Sequence, residues 1–85
     1  MTMAELIQEF TDAVRDPRGH VYAARAYGEE SPGGTWVGWL EFRPLGGGAV
    51  LRTARETTQP DRAALEYWAS GLEPVYLEGA LARAS

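Results

Sequence analysis

Apolar residues recur at Met3, Leu6, Ile7, Phe10, Ala13 and Val14, the i, i+3, i+4, i+7 spacing of one helix face. The spacing predicts a helix over residues 3–15. Thr2 and Glu5 form a Thr-x-x-Glu capping box ahead of it, able to satisfy orphan amides of the first turn. Glu5, Glu9 and Asp12 fall on the polar side, and Pro17 and Gly19 end the element. A capped helix at residue 2 puts the start of the domain at the start of the chain.

From residue 20 the period changes from helical to alternating. Tyr22, Ala24 and Ala26 alternate with Val21, Ala23, Arg25 and Tyr27, which predicts a strand over 20–28 with the first set inward. Glu29 to Gly34 is a turn, and residues 35–43 are the clearest strand. There Trp36, Gly38, Leu40 and Phe42 face the core, while Val37, Trp39, Glu41 and Arg43 face away. Pro44 ends that strand and Leu45–Gly48 turns the chain. A third strand is expected over 49–57, and its facing is ambiguous. Either alternation brings Arg52 or Arg55 to the core side, so one of them has to sit at a sheet margin or meet a carboxylate.

Helical spacing then returns. Thr58 can cap with Asp61, Pro60 suits a first turn, and Leu65, Trp68, Ala69 and Leu72 form the packing stripe. Gly71 and Pro74 break it, and a second short helix runs from Pro74 to Ala84 with Val75, Leu77, Ala80, Leu81 and Ala84 on its apolar side. Short turns between strands favour antiparallel pairing. The expected fold is a single α+β domain over residues 1–85. It has two layers: an N-terminal helix, a three-stranded antiparallel meander and a C-terminal helical region broken near Gly71–Pro74, in the order α-β-β-β-α-α.

Composition narrows the functional classes. The 85 residues carry 8 basic and 12 acidic side chains, for a net charge of −4. Every basic residue is an arginine, as a GC-rich coding bias would produce. An acidic chain is a poor starting point for nucleic-acid binding, where phosphate neutralisation dominates affinity. There is no cysteine, so neither a disulfide nor a thiolate site can form. A chain this short buries only about 60–65% of its unfolded surface, and small domains without staples often gain stability by oligomerising. No basic-then-apolar leader is visible, and no apolar run approaches the roughly 20 residues of a membrane span. The expectation is a cytoplasmic protein with no membrane contact.

Chemistry-bearing motifs are sparse. His20 is the single histidine, and it reads as a polar residue at a strand start rather than a ligand or base. Ser31, Ser70 and Ser85 lie in no nucleophile elbow. Gly46-Gly47-Gly48 falls between strands with no following lysine, unlike a phosphate loop. No catalytic, cofactor or metal residue is assigned, and no cofactor is expected. Acid–base sites can be built without histidine, so an enzyme with a pocket at a subunit interface is kept as an alternative. Tyr22, Arg55, Thr57 and Glu66 are its candidate polar groups.

The outward face of the sheet holds more. Arg25, Tyr27, Trp39 and Arg43 share it, joined by Arg52 or Arg55. Trp, Tyr and Arg are the residue types enriched at protein interfaces, and aromatics beside arginines can also take bases and phosphates. A third reading is that Arg simply lies over Trp to stabilise a solvated face. On the first helix after the strands, Tyr67 falls outside both the polar stripe and the core stripe. With Tyr76 it adds apolar surface that one sheet face cannot cover, unless the terminal helix folds back over Tyr67. The expected function is a small non-enzymatic protein-interaction or regulatory module that self-associates through Tyr67 and Tyr76 as a homodimer or higher oligomer. Its further partner would be another protein, with a nucleic-acid-binding regulator as the alternative.

The element order α-β-β-β-α resembles that of double-stranded-RNA-binding domains, and its β-β-β-α part is similar to three-stranded plant-type DNA-binding domains. Both likenesses are topological. The Lys-rich start of the RNA-binding domain's last helix is replaced here by Gln59-Pro60-Asp61-Arg62, and no site residue carries over.

Overall fold

The computed structural model describes residues 3–85. Strands β1 (Glu5–Glu9), β2 (Val14–Arg15), β3 (Val21–Glu30), β4 (Trp36–Pro44), β5 (Leu51–Arg52) and β6 (Thr57–Gln59) precede helices α1 (Arg62–Ser70) and α2 (Pro74–Arg83). All strand pairs are antiparallel. Long strands β3 and β4 form the centre. β1 and β2 run in one lane beside β3, and β5 and β6 run in one lane beside β4. The result is a four-lane meander whose two outer lanes are interrupted.

The expected N-terminal helix is absent, and with it the α-β-β-β-α-α fold and the three-stranded meander. As a strand the segment pairs one edge of the ten-residue β3, whose backbone groups would otherwise lie open. A bulge explains the misleading period. The β1–β3 register shifts between Leu6 and Gln8, and such an extra residue breaks strict alternation. Leu6, opposite Tyr27, stays on the outer face, while Ile7 and Phe10 pack against the core and Val14 is buried in β2. Spacings of three and four thus arise from a bulged, interrupted strand. Of the expected capping box, Glu5 lies in β1, and Thr2 falls outside the described residues. Without the leading helix, the topological likeness to RNA- and DNA-binding domains lapses.

The expected strand over 49–57 is also two strands. Arg52 pairs with Glu41 and Thr57 with Gly38. Between them, Thr53 N–H donates to the Leu40 carbonyl at 2.9 Å and Glu56 N–H to the Gly38 carbonyl at 2.8 Å. Ala54 and Arg55 are pushed out. The break resolves the arginine conflict, because both Arg52 and Arg55 reach solvent while Thr53 turns inward. The Thr53 hydroxyl accepts from Leu40 N–H at 3.0 Å.

The helices cover one face of the sheet. Tyr22, Ala24 and Ala26 of β3 and Leu40 and Phe42 of β4 join Ala69, Leu77, Ala80 and Leu81 in the core. Leu65 is fully buried over Gly28 and Gly38, which are paired across β3 and β4. A Cβ at Gly38 would stand 2.6 Å from Leu65 Cδ1, so the bare backbone is what lets α1 approach. α1 is capped by Asp61, whose side chain accepts from Ala64 N–H at 2.8 Å. The cap is therefore Asp61 rather than Thr58, which pairs with Val37 in β6. The C-terminal residue closes the β5 edge, with Arg52 and Ser85 exchanging backbone hydrogen bonds at 3.1 Å.

Candidate functional site

Three regions bear on function: the outer sheet face, the exposed side of the helices, and a cleft at one end of the sheet.

On the outer face the strand register builds two rows. Leu6, Tyr27 and Trp39 form one, and Glu9, Arg25, Glu41 and Arg52 form the other, with alternating charge across four strands. The rows close upon themselves. Trp39 is only 4% exposed although it points away from the helices. The Arg52 guanidinium lies over its ring at 4.3 Å from the centroid, Tyr27 stacks beside it at 6.4 Å, and its indole N–H donates to Glu41 at 3.3 Å. Arg25 pairs with Glu9 at 3.0 Å. The Tyr27 hydroxyl and then Glu9 raise the Arg25 pKa further, so that cation is held within the face. Of the candidate partner residues, Arg25, Tyr27 and Trp39 are thus engaged with their neighbours, and Arg43 stands exposed at the margin.

Tyr67 and Tyr76 part company. Tyr67 is 82% exposed on α1, and the terminal helix does not cover it. Tyr76 is half-buried, edge-on to Trp68, and its hydroxyl donates to Glu56 at 2.6 Å. Arg83 reaches the same carboxylate oxygen at 2.5 Å. Burial, and then the Glu56 carboxylate, push the Tyr76 pKa up against the opposing influence of Arg83. This cluster ties α2 to the segment before β6.

The four candidate pocket groups do not converge. Tyr22 lies opposite Pro44 and Thr57 opposite Gly38, at different ends of β4. Arg55 is exposed in the break between β5 and β6, and Glu66 is held by Arg62 at 2.7 Å on the surface of α1.

Tyr22 does reach a cleft, in other company. A space of about 760 Å³ opens between the β2–β3 turn, β5 and α2, lined among others by Arg15, Asp16, Arg18, His20, Tyr22, Leu51 and Leu81. A second space of about 930 Å³ shares His20, Tyr22 and Leu51 in its lining and runs along Pro44 to Ala49. Asp16 organises the polar end. One carboxylate oxygen accepts from the Arg18 and His20 N–H groups, each at 2.9 Å. The other lies 3.1 Å from His20 Nδ1 and 3.5 Å from the Tyr22 hydroxyl. Partial burial alone would push the Asp16 carboxyl up. The hydrogen bonds from His20 and Arg18 outweigh it and hold the group below its ordinary value. Gly19, at φ +86°, permits the tight turn that brings these groups together. Nδ1 of His20 is turned to Asp16, and the residue lines the cleft. The lining contains no serine, threonine or cysteine to act as a nucleophile.

Sequence reasoning passed over this site. The sequence pattern ends a helix at Pro17 and Gly19 and starts a strand at His20, although an Asp followed by Pro and Gly is also a turn signal. Among the described residues no group of three or more His, Cys, Asp or Glu side chains could hold a metal ion, and no helix is long and apolar enough to cross a membrane. No protein-family model, no curated protein and no solved structure matches the chain.

Proposed function

We propose that this chain is a small non-enzymatic binding module whose binding site is the cleft at the end of the sheet. The supporting observation is that two surface spaces share His20, Tyr22 and Leu51 in their linings. Their shared lining brings polar groups and apolar walls together, the usual make-up of a ligand site. Leu45 and Val50 stand exposed in the β4–β5 connection beside it. A fragment library titrated into isotope-labelled protein tests the reading. Fragment-induced shifts should concentrate on His20, Tyr22, Leu51 and Leu81. Shifts confined to Tyr27, Trp39 and Arg43 would move the site to the outer face of the sheet.

Self-association is the second reading, supported by the exposure of Tyr67 at 82%. Light scattering on a size-exclusion column at high micromolar concentration should then give more than the monomer mass, and Tyr67→Ser should return the monomer. A monomer peak from the unaltered chain removes this reading. Nucleic-acid binding has less support, because Arg25 is neutralised by Glu9 and Arg52 lies flat on Trp39.

A further inference from the structure

We infer that the ligand of this cleft is an amphipathic carboxylate, with its anionic head between Arg15, Arg18 and His20 and its aliphatic chain along Tyr22, Leu51 and Leu81. The inference rests on the cleft being the binding site and adds the class of ligand.

The argument begins with the arginines. Arg25, Arg62 and Arg83 are ion-paired, and Arg52 lies over an indole. Among the described residues Arg15, Arg18, Arg43 and Arg55 have no carboxylate within salt-bridge distance. Two of these four, Arg15 and Arg18, line the same cleft. They flank Asp16, the nearest acid in sequence, yet Asp16 is already committed to His20 and to two backbone N–H groups. The turn takes up its hydrogen-bonding capacity but not its charge, so the two guanidinium groups stay unpaired and a bound anion has to meet them on the side away from Asp16. Such forks match carboxylate geometry. His20 lines the same end of the cleft.

The remaining walls select for an apolar body. Pro17, Leu51, Leu81, Ala82 and the Tyr22 ring line the space, and the adjoining one continues over Pro44 and Leu45. A small inorganic anion would leave that surface wet. Glu78 also lines the cleft, from α2, and repels an anion placed on its side. The head group is therefore directed to the β2–β3 turn and the chain toward Leu51.

The test uses decanoate below its micelle concentration, with decanol, decyltrimethylammonium and acetate as comparators, titrated into labelled protein and followed at His20, Tyr22, Leu51 and Leu81. Decanoate should bind more tightly than the other three. Arg15→Gln and Arg18→Gln should each weaken it on the order of tenfold, the loss of one charge-assisted hydrogen bond, with unchanged thermal melts. Glu78→Gln should tighten it. If decanol matches decanoate and the arginine variants change nothing, the cleft stands as a site but the carboxylate assignment falls. If acetate matches decanoate, the aliphatic half of the inference falls. If none of the four probes shifts the cleft signals while library fragments do, the ligand class is wrong. If fragments fail there too, the cleft reading falls with it.

Discussion

The Arg52 guanidinium lies 4.3 Å from the centroid of the Trp39 ring, and it keeps that indole almost wholly covered on the side of the sheet away from the helices. Trp39 therefore stabilises the fold although it faces outward. Trp39→Ala should cost about 3 kcal/mol, as for other buried large-to-small changes. Arg52→Ala should cost about 1 kcal/mol. Urea unfolding measures both, and the Trp39 indole proton should shift in the Arg52 variant. A Trp39→Ala protein of unaltered stability would mean that the indole is free for a partner.

Leu65 and Gly38 define the approach of α1 to the sheet. Gly38→Ala places a methyl against Leu65 Cδ1 and Thr57 Cγ2 and should destabilise by roughly 1–3 kcal/mol. Leu65→Ala alone should cost about 2–5 kcal/mol. In the double variant the added methyl enters the space left by Leu65, so the combined loss should fall short of the sum. Additive losses would show that the two positions do not touch.

Asp16 makes the β2–β3 turn sensitive to acid. Its carboxyl is held below its ordinary value, so the folded form prefers the charged state. That contribution is complete above the unfolded carboxylate value of about 3.9. It is lost as pH falls below that value through the depressed native one. Amide exchange at Arg18 and His20 should accelerate over that acid range before the helices unfold. Asp16→Asn should accelerate it already at neutral pH. Equal protection in the variant would separate the turn from the carboxylate.

Tyr76 has the opposite dependence. Burial and Glu56 raise its pKa, so the unfolded chain ionises first and stability declines as pH rises past about 10. Ultraviolet titration should show a late tyrosine step that belongs to Tyr76. Tyr76→Phe removes the hydrogen bond to Glu56, should cost about 1–2 kcal/mol and should abolish the late step.

The helices at Arg62–Ser70 and Pro74–Arg83 were legible because Gly71 and Pro74 punctuate a clear helical stripe. The inward sides of β3 and β4 were legible because their alternation is unbroken from Tyr22 to Phe42, apart from the turn. The outer lanes were not. A bulge between Leu6 and Gln8 imitates a helical period, and the break at Ala54–Arg55 defeats any two-residue alternation. The cleft was hidden for a related reason. Its residues come from the β2–β3 turn, β5 and α2, segments far apart in the chain, and the turn itself appears only once residues 5–15 are read as strands.

Local chemistry thus sufficed where a residue's role depended on near neighbours: the helix break at Gly71 and Pro74 and the turns that contain Gly33 and Gly47. The absence of thiols and of a phosphate loop was settled at the same level. The state of residues 5–15 depended on a partner strand that begins at Val21, whose backbone groups would otherwise lie open. Whether Trp39 was free or covered depended on Arg52, brought to it by the β4–β5 register. The grouping of Arg15, Arg18, His20, Leu51 and Leu81 required the closed sheet with α2 beside it. Those three outcomes rest on long-range pairing, where backbone hydrogen bonds and side-chain neighbours are set by register rather than by sequence distance.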